Sequence, residues 1–242
     1  MKRIFSLCFL SLFLLSLVVT PGLSQEASDV LAKMIDAGGG RKNLEKAKDM
    51  TMTGNIELVS MGMSGSLTVY SKEPNKMRMD IEIMGMVITQ AYDGETAWGI
   101  NPQTGASEEL SGEQADDLKR QAMGNDSLLN PAKYGITYTL KGKETVDGAE
   151  CFILERTHSD GYTVSLYINS ETYLPYKTKA TTMGQMGVEV EAESFPTDYK
   201  KVGGMMIPHS LRVLQDGEEF MTMTFTEVTV NTGIEDTMFK ME

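Results

Sequence analysis

Histidine, cysteine and tryptophan are nearly absent from this 242-residue chain, which holds two, two and one of them. His158 and His209 are far apart, and neither stands at metal-ligand spacing with another His, Cys or acidic residue, so a zinc site is not expected. Of the two cysteines, Cys8 falls in the first apolar run and Cys151 is left alone, which excludes an internal disulfide framework. Its neighbours Phe152, Ile153 and Leu154 predict a buried, inert thiol on a strand. Positive charge is also short: 22 Lys and Arg face 34 Asp and Glu, for a net charge of −12. That balance argues against nucleic acid as a partner, whose phosphates call for a basic face. It weighs equally against lasting attachment to an anionic membrane surface. No Gly-x-Ser-x-Gly elbow occurs, and Gly62-Met63-Ser64-Gly65 only superficially resembles one. Gly38-Gly39-Gly40 has neither the Lys-Ser/Thr spacing nor the preceding strand of a phosphate loop, and reads as a helix stop and hinge. A carboxylate pair of the glycosidase kind could hide among the many acids, since such pairs meet in space rather than in sequence. The expectation is a protein that is not an enzyme and carries no cofactor.

What is present begins with an address. Lys2 and Arg3 precede a continuous apolar run from Ile4 to Val19, broken by Pro21. Gly22 and Ser24 sit at −3 and −1 to a cut before Gln25, the pattern of a secretory signal peptide. The run is shorter than the roughly 20 residues that span a bilayer. Residues 1–24 are therefore expected to be cleaved, leaving 25–242 as one exported, periplasmic domain. No linker, charge block or shift of composition divides that remainder.

An apolar content of 41% supports a real core. From Glu26 to Ala37, Val30, Leu31, Met34 and Ile35 fall at helical spacing and make one stripe. Arg41 to Lys48 allows a further turn or two. After Asp49 the period changes to two. Met50, Met52, Ile56 and Leu58 alternate with polar neighbours, as do Met77, Met79, Ile81 and Ile83. The same alternation returns over residues 162–168, 188–193 and 221–225, with turn pairs at Asp93-Gly94, Asp147-Gly148, Asp160-Gly161 and Asp216-Gly217. Eleven or twelve strands joined by short loops predict antiparallel neighbours in one large sheet. Helical spacing interrupts them from Ser111 to Met123, with Ser111 and Gln114 in capping-box positions and Leu118 on the apolar side. Asn125 to Pro131 then reads as a loop.

Methionine is over-represented: 19 residues, against 18 aromatic ones. The pairs Met50/Met52, Met61/Met63, Met77/Met79, Met84/Met86 and Met221/Met223 each put two thioethers on one side of a strand. Flexible, polarizable methionine suits a surface that accepts variable apolar ligands. It also fills ordinary cores. It is a soft ligand for Cu(I), and Met183-x-x-Met186 has that look, although the pairs lack His or Cys company. A sheet of this width tends to curl, and two short helices cannot fill its concave face. A helical lid over a methionine-lined hollow describes an acyl-chain carrier.

Several segments resemble the outer membrane lipoprotein-sorting protein family, the LolA/LolB-like carriers. They are Tyr92-Asp93-Gly94-Glu95-Thr96-Ala97-Trp98 with Asn101-Pro102, the stretch Val146 to Cys151, Leu166 to Pro175, Asp198 to His209, and Asn231 to Phe239. The resemblance covers most of residues 26–240. It implies a mainly β fold: a single curved antiparallel sheet, an incomplete barrel of about 11 strands, with an N-terminal and an inserted helix as lid. It also implies binding or transport of the acyl chains of lipoproteins or other lipids toward the outer membrane, with inner- or outer-membrane transport proteins as partners. The family's lid-gating arginine has no local motif here; Arg41 and Arg78 are nearest by position, and neither is assigned. The residues expected to line the hollow are Met77, Met79, Ile81, Ile83, Met86, Ile88, Trp98, Met221 and Met223. Met86 and Ile88 are taken from the even positions of their strand, which Trp98 is expected to share. Val30, Leu31, Met34, Ile35 and Leu118 would form the underside of the lid. A sensor or scaffold module of the same fold, reading a protein partner, remains the alternative, and a soft-metal binder the next.

Overall fold

A computed structural model describes residues 22–101, 104–184 and 188–241. The expected leader lies outside the described residues except for its last three, and Met186 of the copper-like pair lies outside them too. Helix α1 spans Gly22–Ala37 and α2 Arg41–Lys46. Six strands follow: β1 Asp49–Leu58, β2 Met63–Lys72, β3 Lys76–Ile83, β4 Met86–Tyr92, β5 Ala97–Ile100 and β6 Ser107–Glu109. Helices α3, Glu113–Gln121, and α4, Asn125–Leu129, come next. The second strand run is β7 Thr137–Val146, β8 Ala149–Thr157, β9 Thr163–Asn169, β10 Pro175–Met183, β11 Glu189–Val202, β12 Met205–Gln215 and β13 Glu218–Val230.

All thirteen strands belong to one antiparallel sheet in the order β6-β5-β4-β3-β2-β1-β13-β12-β11-β10-β9-β8-β7. Two meanders, β1 to β6 and β7 to β13, therefore meet at a single seam where β1 pairs with β13. The sheet is an open, curved one, and β6 and β7 are its edges. The chain passes from one edge to the other through α3 and α4, so the inserted helices are the crossover rather than an ornament. The count exceeds the expected eleven or twelve; β6, with three residues, is too short to show an alternation.

Turn chemistry places the hairpins. Asp147 and Gly148 both take positive φ, 48° and 84°, as do Asp216 and Gly217 at 49° and 84°. That is the two-residue turn whose twist matches the flanking strands. Helix α1 stops at the triple glycine for two reasons. Gly39 has φ 123°, and a Cβ there would stand 2.5 Å from the Gly204 carbonyl oxygen. The Met206 N–H donates to the Gly38 carbonyl at 3.0 Å, so the end of α1 is docked on the β11–β12 turn. Two expectations at the crossover fail. The Ser111/Gln114 box does not form, because α3 is capped at Gly112 without a side-chain bond. Residues 125–129 form helix α4 rather than a loop, since the Glu73 carboxylate accepts from the Asn125 N–H at 2.6 Å and supplies the missing cap.

Helices α1 to α4 lie on one face of the sheet. Ala27, Val30 and Met34 of α1 pack on Leu154, Val164, Leu166 and Ile168. Ile35, Leu44 and Leu129 pack on Met52, Ile56, Leu67, Ile83, Ile207 and Phe225. Leu118 and Ala122 of α3 pack on Met77, Tyr92 and Ala97. The outer face carries a smaller cluster of Val146, Cys151, Tyr167 and Phe195. Cys151 is fully buried there, with burial pushing its thiol up.

Buried Asp49 ties the C-terminal segment to β1. Its carboxylate accepts from the Thr232 N–H at 2.7 Å, the Thr232 hydroxyl at 3.0 Å and the Gly233 N–H at 3.0 Å. Burial pushes this carboxyl up, but the hydrogen bonds outweigh it and hold it below the ordinary carboxylate range. A depressed carboxyl stabilises the fold fully above its unfolded value, and that contribution fades as pH falls through the folded value. Asp49→Ala is expected to cost about 2 kcal/mol or more at pH 7. In urea unfolding the gap from the parent should narrow at pH 3 and below; an equal gap at both pH values would refute the role.

Candidate functional site

Between the inner face and the helices lies a cavity of about 640 Å³. Its roof is Met34 and Ile35 of α1, Gly38 just after it, Leu44 of α2, and the Gln121–Asn125 bend with Leu128. Its walls are Met50 and Met52 of β1, Val69 of β2, Met77 of β3, Leu166 of β9, Thr178 of β10 and Met205, Met206 and Ile207 at the start of β12. Met123 joins from the bend, so seven methionines line one space. Alternation explains the strand contribution: Met50, Met52 and Val69 are on one face because Met50 pairs with Ser71 and Met52 with Val69. The lining is mostly apolar, and the adaptable thioethers leave its shape adjustable.

One end of the hollow is polar. Lys72 and Lys76 both pair with Asp236, at 2.6 and 2.9 Å, and these two cations hold the Asp236 carboxyl down at about 2. Glu73 caps α4 from this rim; burial pushes its carboxyl up against the pull of the Asn125 and Asp126 N–H groups. Asn125 donates to the Leu44 carbonyl at 3.3 Å, and Arg41 to the Leu129 carbonyl at 2.7 Å, which ties α2 to α4. At the other side α3 is fastened to the β8–β9 hairpin. Arg120 pairs with Glu113 and Asp117 on its own helix and with Asp160 at 3.2 Å, and lies 4.0 Å over the Tyr162 ring. These acids hold the guanidinium further into its charged form despite burial. Buried His158 packs edge-on to Tyr162, and burial, then the Arg156 charge, pushes its imidazole down.

The residues singled out from the sequence fall in several places. Met34, Ile35 and Met77 line the cavity. Val30 and Leu118 are buried under their helices, and Leu31 packs at the junction of the two larger clusters. Met79, Ile81, Ile83, Met221 and Met223 share the inner face and pack in the main core cluster beside the hollow. Met86 and Ile88 pair with Ile83 and Ile81 and so face the same way, yet at an exposed corner where Met84, Met86 and Val87 are open to solvent. Trp98 requires a correction. It pairs with Ala91, not with Tyr92 or Gln90, so it is on the outer face with Arg78. The four residues between β4 and β5 shift the parity, and no sequence alternation in a four-residue strand reveals that. Sequence reasoning noticed Met50 and Met52 without assigning them to the hollow. It missed Met205, Met206, Tyr138 and Arg156, which tertiary packing alone brings there.

Among the described residues no cluster of three His, Cys, Asp or Glu side chains is arranged for a metal, and no helix is long and apolar enough to cross a membrane. Comparison with known proteins bears on the family. A family model whose description reads "Uncharacterized protein" matches residues 82–242, well over half of the chain. The chain belongs to that family. No curated protein sequence matches this family member. Solved structures resemble it across nearly its whole length. A DUF1329 family protein from Desulfovibrio piger has a TM-score of 0.61 at 18% identity, over 90% of this chain and 97% of that one. A proposed outer membrane lipoprotein-sorting protein domain from Vibrio parahaemolyticus has 0.60 at 15%, over 88% and 97%. A LolA superfamily protein from Nitrosomonas europaea has 0.59 at 16%, over 90% and 97%. The family member therefore has the fold of the lipoprotein-sorting and LolA superfamily proteins, as the resembling segments imply.

Proposed function

We propose that this protein is an exported, periplasmic binder of acyl chains, a carrier of lipids or lipoproteins rather than an enzyme. The observation that carries the reading is the methionine-lined hollow of about 640 Å³ under the helices. Its size falls in the ordinary range of small-ligand sites, roughly 300–1,000 Å³. Each methylene taken from water contributes about 0.8 kcal/mol, so a long chain binds tightly without any catalytic group or directed polar contact. Support also comes from the fold it shares with lipoprotein-sorting proteins. Met79, Met221 and Met223 extend the same face, and their flexible side chains can yield to a longer ligand.

Native mass spectrometry of the exported protein, followed by lipid extraction, should find an acylated species that is lost on denaturation. The hollow is then tested by filling it. Thr178 stands on its wall, opposite Leu166 and Ser194 on the neighbouring strands. Thr178→Trp adds an indole without burying a charge. It should weaken binding of a fluorescent fatty acid at least tenfold, about 1.4 kcal/mol, with circular dichroism unchanged. A folded variant that binds the probe within twofold of the parent would sink the assignment of this cavity. A parent that neither carries lipid nor binds the probe would leave the partner-reading module as the better account.

A further inference from the structure

Arg156 is the anomaly in this wall. It sits on β8 between Tyr138 of β7 and Val164 of β9, the residues it pairs with across the sheet, and so points to the inner face. It lines the hollow together with Tyr138 and Leu166. Two residues away along β8, Leu154 is fully buried in the apolar cluster under α1. The Arg156 Nε is buried without a hydrogen-bond partner, and no carboxylate lies within ion-pair distance of the guanidinium among the described residues. Arg120, nearby in the same part of the molecule, shows the contrast: three acids surround it. The rim cations Lys72 and Lys76 likewise share Asp236.

A guanidinium stays charged at any physiological pH. Holding it against an apolar wall without a counter-charge costs free energy. Its planar fork matches a carboxylate or a phosphate oxygen pair. We infer that the hollow takes an anionic amphiphile, with a carboxylate or phosphate head on Arg156 and Tyr138 and the acyl chain running along the methionine wall. This rests on the acyl-chain reading above and narrows it: a ligand with a neutral head would leave the Arg156 charge uncompensated. Burial pushes the Tyr138 phenol up against the pull of the Arg156 charge and its hydrogen bond to Arg156, so it is a neutral hydroxyl beside the guanidinium that can donate to the same head.

The test holds the chain constant and varies the head. Binding of palmitate, palmitoyl lysophosphatidylglycerol and monopalmitoylglycerol is measured at pH 7.4 by titration calorimetry. The parent should prefer at least one anionic ligand over the neutral one by tenfold or more. A preference for palmitate alone names a free carboxylate as the head, and one for the lysophospholipid names a phosphodiester; each supports the inference. Arg156→Met should erase the preference, read as the ratio of anionic to neutral affinity within the same variant; a variant that keeps the parental ratio would overturn the role of Arg156. Arg156→Lys, which keeps the charge but loses the fork, should retain part of the preference and keeps the test open if the methionine variant does not fold. Equal binding of all three ligands by the parent would overturn the role of Arg156 while leaving the acyl hollow intact. Failure to bind any of them would remove the underlying reading instead.

Discussion

Truncating Phe239 to alanine is expected to cost about 3–5 kcal/mol of folding stability and to shift the emission of Trp98 to the red. Phe239 is fully buried near the C-terminal end, in a short 3₁₀ turn spanning Asp236–Phe239. Its carbonyl accepts from the Trp98 indole N–H at 2.7 Å, inside the protein. Arg78 donates to the Met238 carbonyl at 3.0 Å and lies 5.9 Å over the Trp98 ring. The same arginine is held by Asp80 at 3.0 Å, and Asp80 also accepts from the buried Thr89 hydroxyl at 2.7 Å. The tail is thus a strap across the outer face of β3, β4 and β5, and Phe239 is the plug beside the buried indole–carbonyl bond. Losing the ring leaves a cavity that the rigid strands cannot close, and water then reaches the indole. Trp98 is the single tryptophan, so fluorescence reports this place alone. Guanidinium unfolding followed by that emission measures both effects. An unshifted spectrum with a loss below 1 kcal/mol would show that the strap is not structural. Met238, partly exposed on the same turn, is the control, with a change to alanine expected to stay within about 0.5 kcal/mol.

The second large effect is at Gly54. A Cβ there would stand 2.0 Å from the Thr224 carbonyl oxygen and 2.7 Å from the Phe225 Cα. Both are backbone atoms and neither can swing away. Gly54 pairs with Phe225 where the β1–β13 register shifts, between Thr53 and Gly54. This is the seam at which the two meanders join, so the strain cannot be passed to an edge. Gly54→Ala should cost about 4 kcal/mol or more, the range reserved for strain and broken ladders in a core. Near-ultraviolet circular dichroism and urea unfolding would measure it. Ser66→Ala, at an exposed position on the adjoining strand, should be silent. A Gly54→Ala protein with parental stability would mean that the two strands can part without penalty.

Much of the fold was legible because burial on one face imprints itself on every second residue. Met77 to Ile83 alternates, and the structure puts those residues on the inner face. Asp147-Gly148 and Asp216-Gly217 could be read as hairpins because only certain residues accept positive φ. The Val30 to Ile35 stripe was visible for the helical counterpart of the same reason. Legibility ended where the signal was too short or depended on distant partners. The three-residue β6 shows no period, and the parity of Trp98 depends on the length of the turn before β5. Helix α4 depends on Glu73, fifty residues earlier, whose carboxylate substitutes for a cap that the local chain lacks. No window around residues 125–131 contains that information.

The same division holds for the site. Composition and alternation alone determine that this is an acidic chain, rich in strands and methionine, without an obvious catalytic set. They do so because they are sums over local choices, and each local choice is written in the order of residues. Which methionines share a hollow is decided by the sheet: Met50 and Met52 from β1 meet Met205 and Met206 from β12 under a helix that ends at Ala37. Strand order determines that meeting, and it hinges on one pairing, β1 with β13, between segments more than a hundred residues apart. Arg156 makes the point most sharply. Along the chain it is one charge among alternating neighbours on an ordinary strand. Only the closing of α1, β7 and β9 around it turns that charge into an unpaired cation on an apolar wall.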